Sequence, residues 1–223
     1  MKRIVLFVEG EGEADAVPRL VKRLLTEQKA WDAVSLDEDT FRVGEVTKLV
    51  KNMYYEWKRK LAASLKRRNV GGVLLVLDGD TRKVAGDEFC AANVARSLAS
   101  ESVSVGGGVS FSVAVVFARQ EYESWLIAGI DSLAGKRLPD GRLIAKSAKT
   151  PEGDLEERPR DAKSWLGKIV EGGYKPTRDQ AALTDLLDLE PVRARKLRSF
   201  RRLEAAVVGL VSAIREQKHI ATP

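Results

Sequence analysis

The chain has 223 residues, of which 44% are hydrophobic and 31% are charged, a composition that is ordinary for a globular protein with a buried core. Its one cysteine, Cys90, excludes an internal disulfide and a cysteine-based zinc site. Its one histidine, His219, lies near the carboxyl terminus, which argues against a Ser-His-Asp hydrolase, a His-dependent nuclease and a His-rich metal site. Because free cysteines are usually buried, we expect Cys90 to be a small core residue of a helix.

The net charge of the chain is +6 and its isoelectric point is about 9.4. A basic surface suits a polyanionic partner such as nucleic acid. The sequence contains no G-x-x-x-x-G-K-S/T phosphate loop. No apolar stretch approaches the roughly 18 residues of a membrane helix, and the apolar run near the amino terminus is too short for a signal peptide. We therefore predict a cytoplasmic protein with no membrane contact.

Apolar periodicity predicts that strands alternate with helices over the first 130 residues. In chain order, the predicted elements are a strand at 3–8, an amphipathic helix with apolar positions from 17 to 25, a short strand at 40–43, a helix at 45–66, a strand at 73–77, a helix at 86–99, a strand at 111–117 and a helix that begins near 121. Such alternation is typical of a parallel sheet. The predicted fold class is α/β, with a mostly parallel four-stranded sheet flanked by helices.

The second half of the chain has a different composition. Residues 131–160 are rich in charge, glycine and proline, including Pro139, Pro151 and Pro159, and this predicts a long loop. Helices are predicted at 161–171, 179–188 and 191–199, with a last helix along the apolar positions from 203 to 214. The predicted organisation is a domain at 1–130, a long loop at 131–160 and a helical subdomain at 161–223 that packs on the first domain.

Three of the predicted strands end at acidic residues. Six acids lie at these strand ends: Glu9 and Glu13, Asp78 and Asp80, and Glu121 and Glu123. Because ligands of open α/β sheets bind at the carboxyl ends of the strands, all six acids could converge on one edge of the sheet. Clustered carboxylates repel each other unless a cation neutralises them, and a ligand set made only of oxygens favours Mg²⁺ or Mn²⁺.

Each acidic pair also has a purely structural interpretation. Glu13 could cap the first helix, since acids favour helix amino termini, whereas Glu9 ends an apolar strand, where an uncompensated charge would be costly. The D-G-D sequence after the third strand could be an acidic turn. For the two acids after the fourth strand, the spacing leaves open which one caps the helix and which one turns inward.

A glutamate after the first strand and a D-x-D pair after the third form the layout of the Toprim domain, which occurs in topoisomerases, bacterial primases, small recombination proteins and the overcoming-lysogenisation-defect (OLD) nucleases. The segments VEGEGE, LVLDGD and QEYESWL resemble a bacterial Toprim-like family related to the OLD nucleases. The stretch at 160–189 and the segment RSFRRLEAAV resemble the tail of that family, so that only 133–158 is left without a counterpart. The resemblance implies a Toprim-like, Rossmannoid sheet with a helical carboxyl-terminal extension.

The resemblance further implies a nuclease that cleaves DNA or RNA with two Mg²⁺ or Mn²⁺ ions. The implied catalytic residues are Glu9, Glu13, Asp78 and Asp80, with Glu121 or Glu123 as further metal ligands and Asp78 between the ions. Basic residues that could bind nucleic acid or offset charge in the transition state are Arg82, Lys83, Arg119, Lys163, Arg195 and Arg198. Because OLD nucleases work with an ATPase module that this chain lacks, a separately encoded ATPase is an implied partner in phage defence or repair. Whether the protein forms a homo-oligomer stays open.

Two other functions compete with the nuclease. The first is a non-catalytic Toprim module that binds nucleic acid or an ATPase. The second is nucleotidyl transfer at the same metal site, which no zinc ribbon or separate nucleotide-binding motif supports. A topoisomerase is disfavoured because the chain is too short for an additional tyrosine domain and strand gate.

Overall fold

A five-stranded parallel sheet forms the centre of the computed structural model, which describes residues 1–157 and 161–223. In chain order the strands are β1 (Lys2–Val8), β2 (Val34–Arg42), β3 (Val70–Gly79), β4 (Lys83–Val84), β5 (Asp87–Glu88), β6 (Ser112–Arg119) and β7 (Ala221–Thr222). The central sheet has the order β2-β1-β3-β6-β7, with every neighbouring pair parallel. The short strands β4 and β5 form a separate antiparallel hairpin.

Helices cover both faces of the central sheet. They are α1 (Glu11–Glu27), α2 (Val46–Ser64), α3 (Ala91–Ser102), α4 (Glu123–Ala128), α5 (Ala162–Ile169), α6 (Ala181–Leu186), α7 (Leu189–Ala194) and α8 (Arg198–Arg215). Helix α1 buries Val17, Leu20, Val21 and Leu24, which lie on one face because their spacing follows the helical repeat. No helix in the described residues is both long and apolar enough to cross a bilayer.

Successive residues of each central strand contribute to two different cores. In β1, Ile4 and Leu6 pack in a core with α1 and α8, whereas Val5 and Phe7 pack in a second core with α2 and α3. Side chains alternate between the faces of a strand, so a strand that is buried on both faces must be apolar throughout. This explains the continuous apolar runs in the sequence.

The chain builds the sheet outward from β1 in two opposite directions, first to β2 and then to β3. Strand β2 lies on one side of β1 and β3 lies on the other, while α1 and α2 pack on opposite faces of the sheet. Such a switch point opens a crevice at the carboxyl ends of the two central strands, which is the usual place for a ligand in open α/β sheets. The acidic residues that follow β1 and end β3 therefore lie at this crevice.

The α/β fold with a mostly parallel sheet is confirmed, but the predicted number of four strands is wrong. The carboxyl-terminal residues form β7, which pairs with β6 at the edge of the sheet. The second strand is also longer than predicted, Val34–Arg42 instead of 40–43. It pairs with β1 along two stretches separated by a change of register between Ile4 and Leu6.

Two predictions for the segment after β3 are wrong. The helix predicted at 86–99 begins only at Ala91, because the residues before it form the β4–β5 hairpin. The hairpin turns at Ala85 and Gly86, whose φ angles are 54° and 97°. Cys90 precedes α3 and is exposed, so it is not the buried helix residue that we expected.

The long helix predicted at 45–66 is interrupted. Within α2, Asn52, Met53 and Tyr54 adopt left-handed φ angles of 49°, 54° and 62°. This break rotates the chain between the two helical pieces, and Met53 within it is 85% exposed. Trp57 and Leu61, beyond the break, are fully buried.

The predicted loop at 131–160 contains buried, packed residues. Leu138, Ile144 and Leu155 belong to the core that includes α1 and α8, and Ile144 forms an isolated bridge with Val170. The part of the predicted loop around Pro159 lies outside the described residues. The helices predicted beyond it correspond to α5–α8 with shifted ends, and the one predicted at 179–188 is preceded by a π-helical turn, Pro176–Gln180. Helix α6 contacts α1, and α8 contacts β3 and β6.

Candidate metal and phosphodiester site

Glu9 connects the ends of β1 and β3. It follows the last residue of β1, and its Oε2 accepts a hydrogen bond from the backbone N–H of Asp78 at 3.2 Å. Val8 of β1 is paired with Val76 of β3, so the two strands end side by side. Glu9 is half-buried and Asp78 is only 8% exposed. The structure thus brings these two predicted site residues together at the switch point.

Asp78 is also held from the β6 side. Its Oδ1 accepts a hydrogen bond from the backbone N–H of Tyr122 at 2.9 Å. Gln120, which follows β6, has a left-handed φ of 63°, and its carbonyl accepts a hydrogen bond from Gly79 N–H at 2.8 Å. This turn directs the chain after β6 back toward β3. Asp78 therefore lies where the ends of β1, β3 and β6 meet.

Glu13 and Glu123 are buried behind this edge, with exposed fractions of 7% and 0%. Oε2 of Glu13 accepts a hydrogen bond from Gly10 N–H at 3.0 Å, which is the helix-capping role of the structural interpretation. Oε1 of Glu13 and Oε1 of Glu123 both accept from Nε2 of Gln180, at 3.1 and 3.4 Å. The hydroxyl of Tyr174 donates to the same Glu123 oxygen at 2.9 Å. Glu13 therefore caps α1 and also belongs to the acidic group.

Glu121 and Glu123 have different surroundings. Oε1 of Glu121 accepts a hydrogen bond from Nζ of Lys163 in α5 at 2.7 Å, and the Glu121 side chain is 13% exposed. Glu123 is the first residue of α4 and is completely buried. The sequence left open which of the two acids turns inward, and the structure shows that Glu123 is the more deeply buried one.

An open pocket of about 310 Å³ lies beside Glu9 and Asp78. Its other lining residues are Glu45, Val46, Thr47, Asp80 and Thr81. Asp80 is exposed just beyond β3, and Glu45 is exposed just before α2. Acidic residues from beyond the ends of β1, β2 and β3 thus line a single pocket that is open to solvent.

Burial and mutual repulsion raise the pKa of three of these carboxyls. The pKa of Glu9 is raised from 4.5 to about 7 by burial, with contributions from the charges of Asp80 and Glu13. Burial also raises the pKa of Asp78 well above its usual range, and the charges of Glu13, Glu123 and Glu9 add to the effect. The pKa of Glu123 is raised to about 7, mainly by burial. The acidic group thus favours bound protons or another source of positive charge.

Lys163 supplies part of that positive charge. Although burial opposes its charged form, the neighbouring Glu123 and Glu121 raise the pKa of Lys163 above its usual value. Its charge in turn opposes the rise in the pKa of Asp78 and of Glu123, but the pKa of both groups stays above its usual value. One ammonium group still faces several carboxyls, so it offsets only part of their repulsion.

A family model for a domain of unknown function, DUF4276, matches residues 8–207. The chain belongs to the DUF4276 family. The matched range includes all of the acidic residues described above together with Lys163, Tyr174 and Gln180. No curated protein and no solved structure gives a significant match to the chain.

The oxygens of this candidate site suit a hard divalent cation, although they are not assembled around one. In residues 1–157 and 161–223, no group of three or more His, Cys, Asp or Glu side chains is placed to hold a metal ion as it stands. In the same ranges, three buried oxygens lack a hydrogen-bond partner: Oε2 of Glu121, Oε2 of Glu123 and Oε1 of Gln180. Carboxylate and amide oxygens are ligands of Mg²⁺ and Mn²⁺, so these residues fit such an ion once side chains rotate toward it.

Besides Lys163, which contacts Glu121, three of the predicted nucleic-acid-binding residues lie near the acidic edge. Arg82 and Lys83 are exposed at the start of the β4–β5 hairpin, and only Thr81 separates them from Asp80. Arg119 ends β6, and its Nε donates a hydrogen bond to the backbone carbonyl of Glu156 at 3.2 Å. Arg82 and Lys83 are therefore the basic residues that chain connectivity places next to the pocket.

Arg195 and Arg198 belong to a different surface. Both are exposed where α7 is followed by α8, and Arg195 interacts electrostatically with Asp131. In the part of the chain that the structure describes, neither arginine forms a hydrogen bond or ion pair with the six predicted acids. The structure thus does not bring this predicted pair into contact with the acidic edge.

Sequence reasoning missed Glu45, Tyr174 and Gln180. Glu45 could have been found, because it lies three residues beyond the end of β2, at the same edge of the sheet as Glu9. Tyr174 and Gln180 carry no comparable signal, since they lie in a turn-rich segment far along the chain from the acids that they contact.

Proposed function

We propose that this protein is a metal-dependent nuclease with a Toprim-like site that cleaves phosphodiester bonds in DNA or RNA. The observation that carries the proposal is the hydrogen bond between Glu9 and Asp78 at the switch point, with Glu13 and Glu123 buried behind it. A protein gains nothing in stability by gathering carboxyls whose pKa values are raised by burial and repulsion. Such an arrangement is more typical of a functional site than of a structural one.

In this proposal the acids divide into two groups around Asp78. Glu9 and Asp80, which line the open pocket, would hold one Mg²⁺ or Mn²⁺ ion, and the buried Glu13 and Glu123 would hold a second. Bound divalent ions supply an activated water and stabilise the leaving oxygen in phosphodiester hydrolysis.

Basic residues complete the proposed site. Lys163 offsets negative charge beside the carboxyls. Arg82 and Lys83, which follow Asp80 and Thr81 in the chain, hold the phosphate backbone. The net charge of +6 favours association with a polyanion. The Toprim-like resemblance adds a separately encoded ATPase as a partner in phage defence or repair.

The test is cleavage of supercoiled plasmid, single-stranded DNA and RNA in Mn²⁺ by the full chain. Glu9→Gln and Asp78→Asn remove one charge each while keeping size and shape. Asp32→Asn is the matched control, because Asp32 is exposed before β2, at the opposite edge of the sheet. We expect both site variants to lose at least about 100-fold in rate and the control to act like the wild type. Equal cleavage by all four proteins would overturn the proposal.

A second candidate is a non-catalytic module that binds nucleic acid or an ATPase. It is favoured by the finding that no acidic group in the described ranges is ready to hold an ion without side-chain movement. Tight binding of DNA or RNA by the wild type, with no cleavage of any of the three substrates in Mn²⁺ or Mg²⁺, would support this candidate over the nuclease.

A further inference from the structure

Two of the acids at the proposed site are held by residues far away in sequence. The side-chain amide of Gln180 donates to Glu13 and to Glu123, which are 167 and 57 positions away. Gln180 is completely buried, so water does not compete for these hydrogen bonds. One amide group thus fixes the carboxyl group of Glu13 in α1 relative to that of Glu123 in α4.

Tyr174 contributes a second donor to the same place. Its hydroxyl hydrogen-bonds Oε1 of Glu123, the oxygen that Gln180 also contacts. Oε2 of Glu123 and Oε1 of Gln180 are buried and have no partner in the described residues. The two donors therefore engage one oxygen of Glu123 and leave the other oxygen available to a ligand.

The backbone around Gln180 packs closely against α1. Gln180 ends a π-helical turn that begins at Pro176, and such turns are frequent at functional sites. The turn packs directly on α1 at Gly12, where a Cβ would lie 2.5 Å from Gln180 Oε1 and 2.8 Å from Pro176 Cβ. The hydroxyl of Thr184 donates to the Gln180 carbonyl at 2.7 Å and so anchors the turn to α6.

We propose that Gln180, assisted by Tyr174, is a positioning residue that orients Glu13 and Glu123 for a divalent cation. This inference rests on the proposed function, because it assigns the helical carboxyl-terminal segment a role in the same site. Partners that hydrogen-bond metal ligands commonly change metal affinity by roughly 10–100-fold when they are removed. The segment after residue 160 would then be needed for metal binding, even though it supplies none of the clustered acids.

The test compares Gln180→Met with Thr184→Val in the full chain. Both variants remove a buried hydrogen bond from the same turn of chain, but only Gln180 contacts the carboxyls. The measurements are Mn²⁺ affinity, from the electron paramagnetic resonance signal of free Mn²⁺, and melting temperature in EDTA. We expect Gln180→Met to weaken Mn²⁺ binding by about 10-fold or more, and Thr184→Val to change it by less than about 2-fold, although both lower the melting temperature.

A second pair of variants tests the inference if the Gln180→Met protein does not fold. Tyr174→Phe removes the hydroxyl that contacts Glu123, while Tyr122→Phe removes a buried hydroxyl that, in the described residues, hydrogen-bonds Thr184 and none of the acids. We expect weaker Mn²⁺ binding in Tyr174→Phe alone, with cleavage recovering at saturating Mn²⁺. Wild-type affinity in the folded site variants, or an equal loss in the two controls, would overturn this inference and leave the nuclease proposal standing. A wild-type chain that binds no Mn²⁺ would overturn both.

Discussion

Oε2 of Glu9 accepts a 3.2 Å hydrogen bond from the backbone N–H of Asp78, and besides burial the charge of Glu9 also acts on the Asp78 carboxyl and raises its pKa. Without a cation, this proximity costs stability, because one buried carboxyl must either stay protonated or face a like charge. This cost can be measured as a change in the free energy of unfolding.

Asp78→Asn should stabilise the metal-free protein. The substitution removes a buried charge but keeps an Oδ1 that can accept from Tyr122 N–H. Near pH 8 in EDTA we expect a gain on the order of 1 kcal/mol, which raises the melting temperature by ~2–4 °C for a chain of this size. Asp80→Asn is the control, since Asp80 is exposed and its replacement should change the melting temperature little. A lower melting temperature for Asp78→Asn would contradict the prediction.

The metal-free protein should become less stable as the pH rises from about 5 to about 7. Glu9 and Glu123 have pKa values of about 7 in the fold, against an ordinary value of 4.5. Between these values the folded state holds protons that the unfolded state has released, so the free energy of unfolding falls with rising pH and then levels off above about 7. Urea unfolding in EDTA at a series of pH values measures this slope.

The double variant Glu9→Gln/Glu123→Gln isolates the contribution of these two groups. Glutamine does not titrate, so the stability of the variant should fall less steeply over the same pH window. Slopes that are identical in the wild type and the variant would show that other groups cause the pH dependence.

Gly12→Ala should destabilise the fold by about 1–3 kcal/mol, although alanine normally favours a helix. The reason is that a Cβ at Gly12 would collide with Gln180 and Pro176. Gly209→Ala is the matched control in α8, where the nearest atom to a new Cβ is Ile220 Cδ1 at 3.4 Å. We expect this control to stabilise the protein by about 0.5–1 kcal/mol. Thermal or urea unfolding measures both, and a neutral Gly12→Ala would argue against the tight packing at that position.

Arg82→Ala/Lys83→Ala should weaken nucleic-acid binding and reduce its dependence on salt. If both side chains contact phosphates, the slope of log affinity against log salt concentration should decrease by about 2. Fluorescence anisotropy of a labelled oligonucleotide in Ca²⁺ or EDTA measures binding without cleavage. Lys66→Ala/Arg68→Ala is the control, because these exposed residues precede β3 and lie at the opposite edge of the sheet. An equal change in the two double variants would indicate non-specific attraction.

Much of the central sheet could be predicted because its signals are local. Strands buried on both faces are apolar throughout, and β1, β3 and β6 were recognised on that basis. β7 was missed because its two residues have no apolar pattern of their own and pair only after the chain has returned to β6. Cys90 was misplaced because residue type indicates a tendency to burial, whereas the β4–β5 hairpin decides its actual position.

The sequence by itself determined that apolar strands end in Glu9, Asp78 and Asp80, since the residues of a strand and its flanking turn are adjacent in the chain. Only the tertiary structure decided that Gln180 and Tyr174 hold Glu13 and Glu123. Those contacts depend on a turn docking against α1 from 167 positions away. Packing between elements distant in sequence is set by the whole core, and no local pattern encodes it.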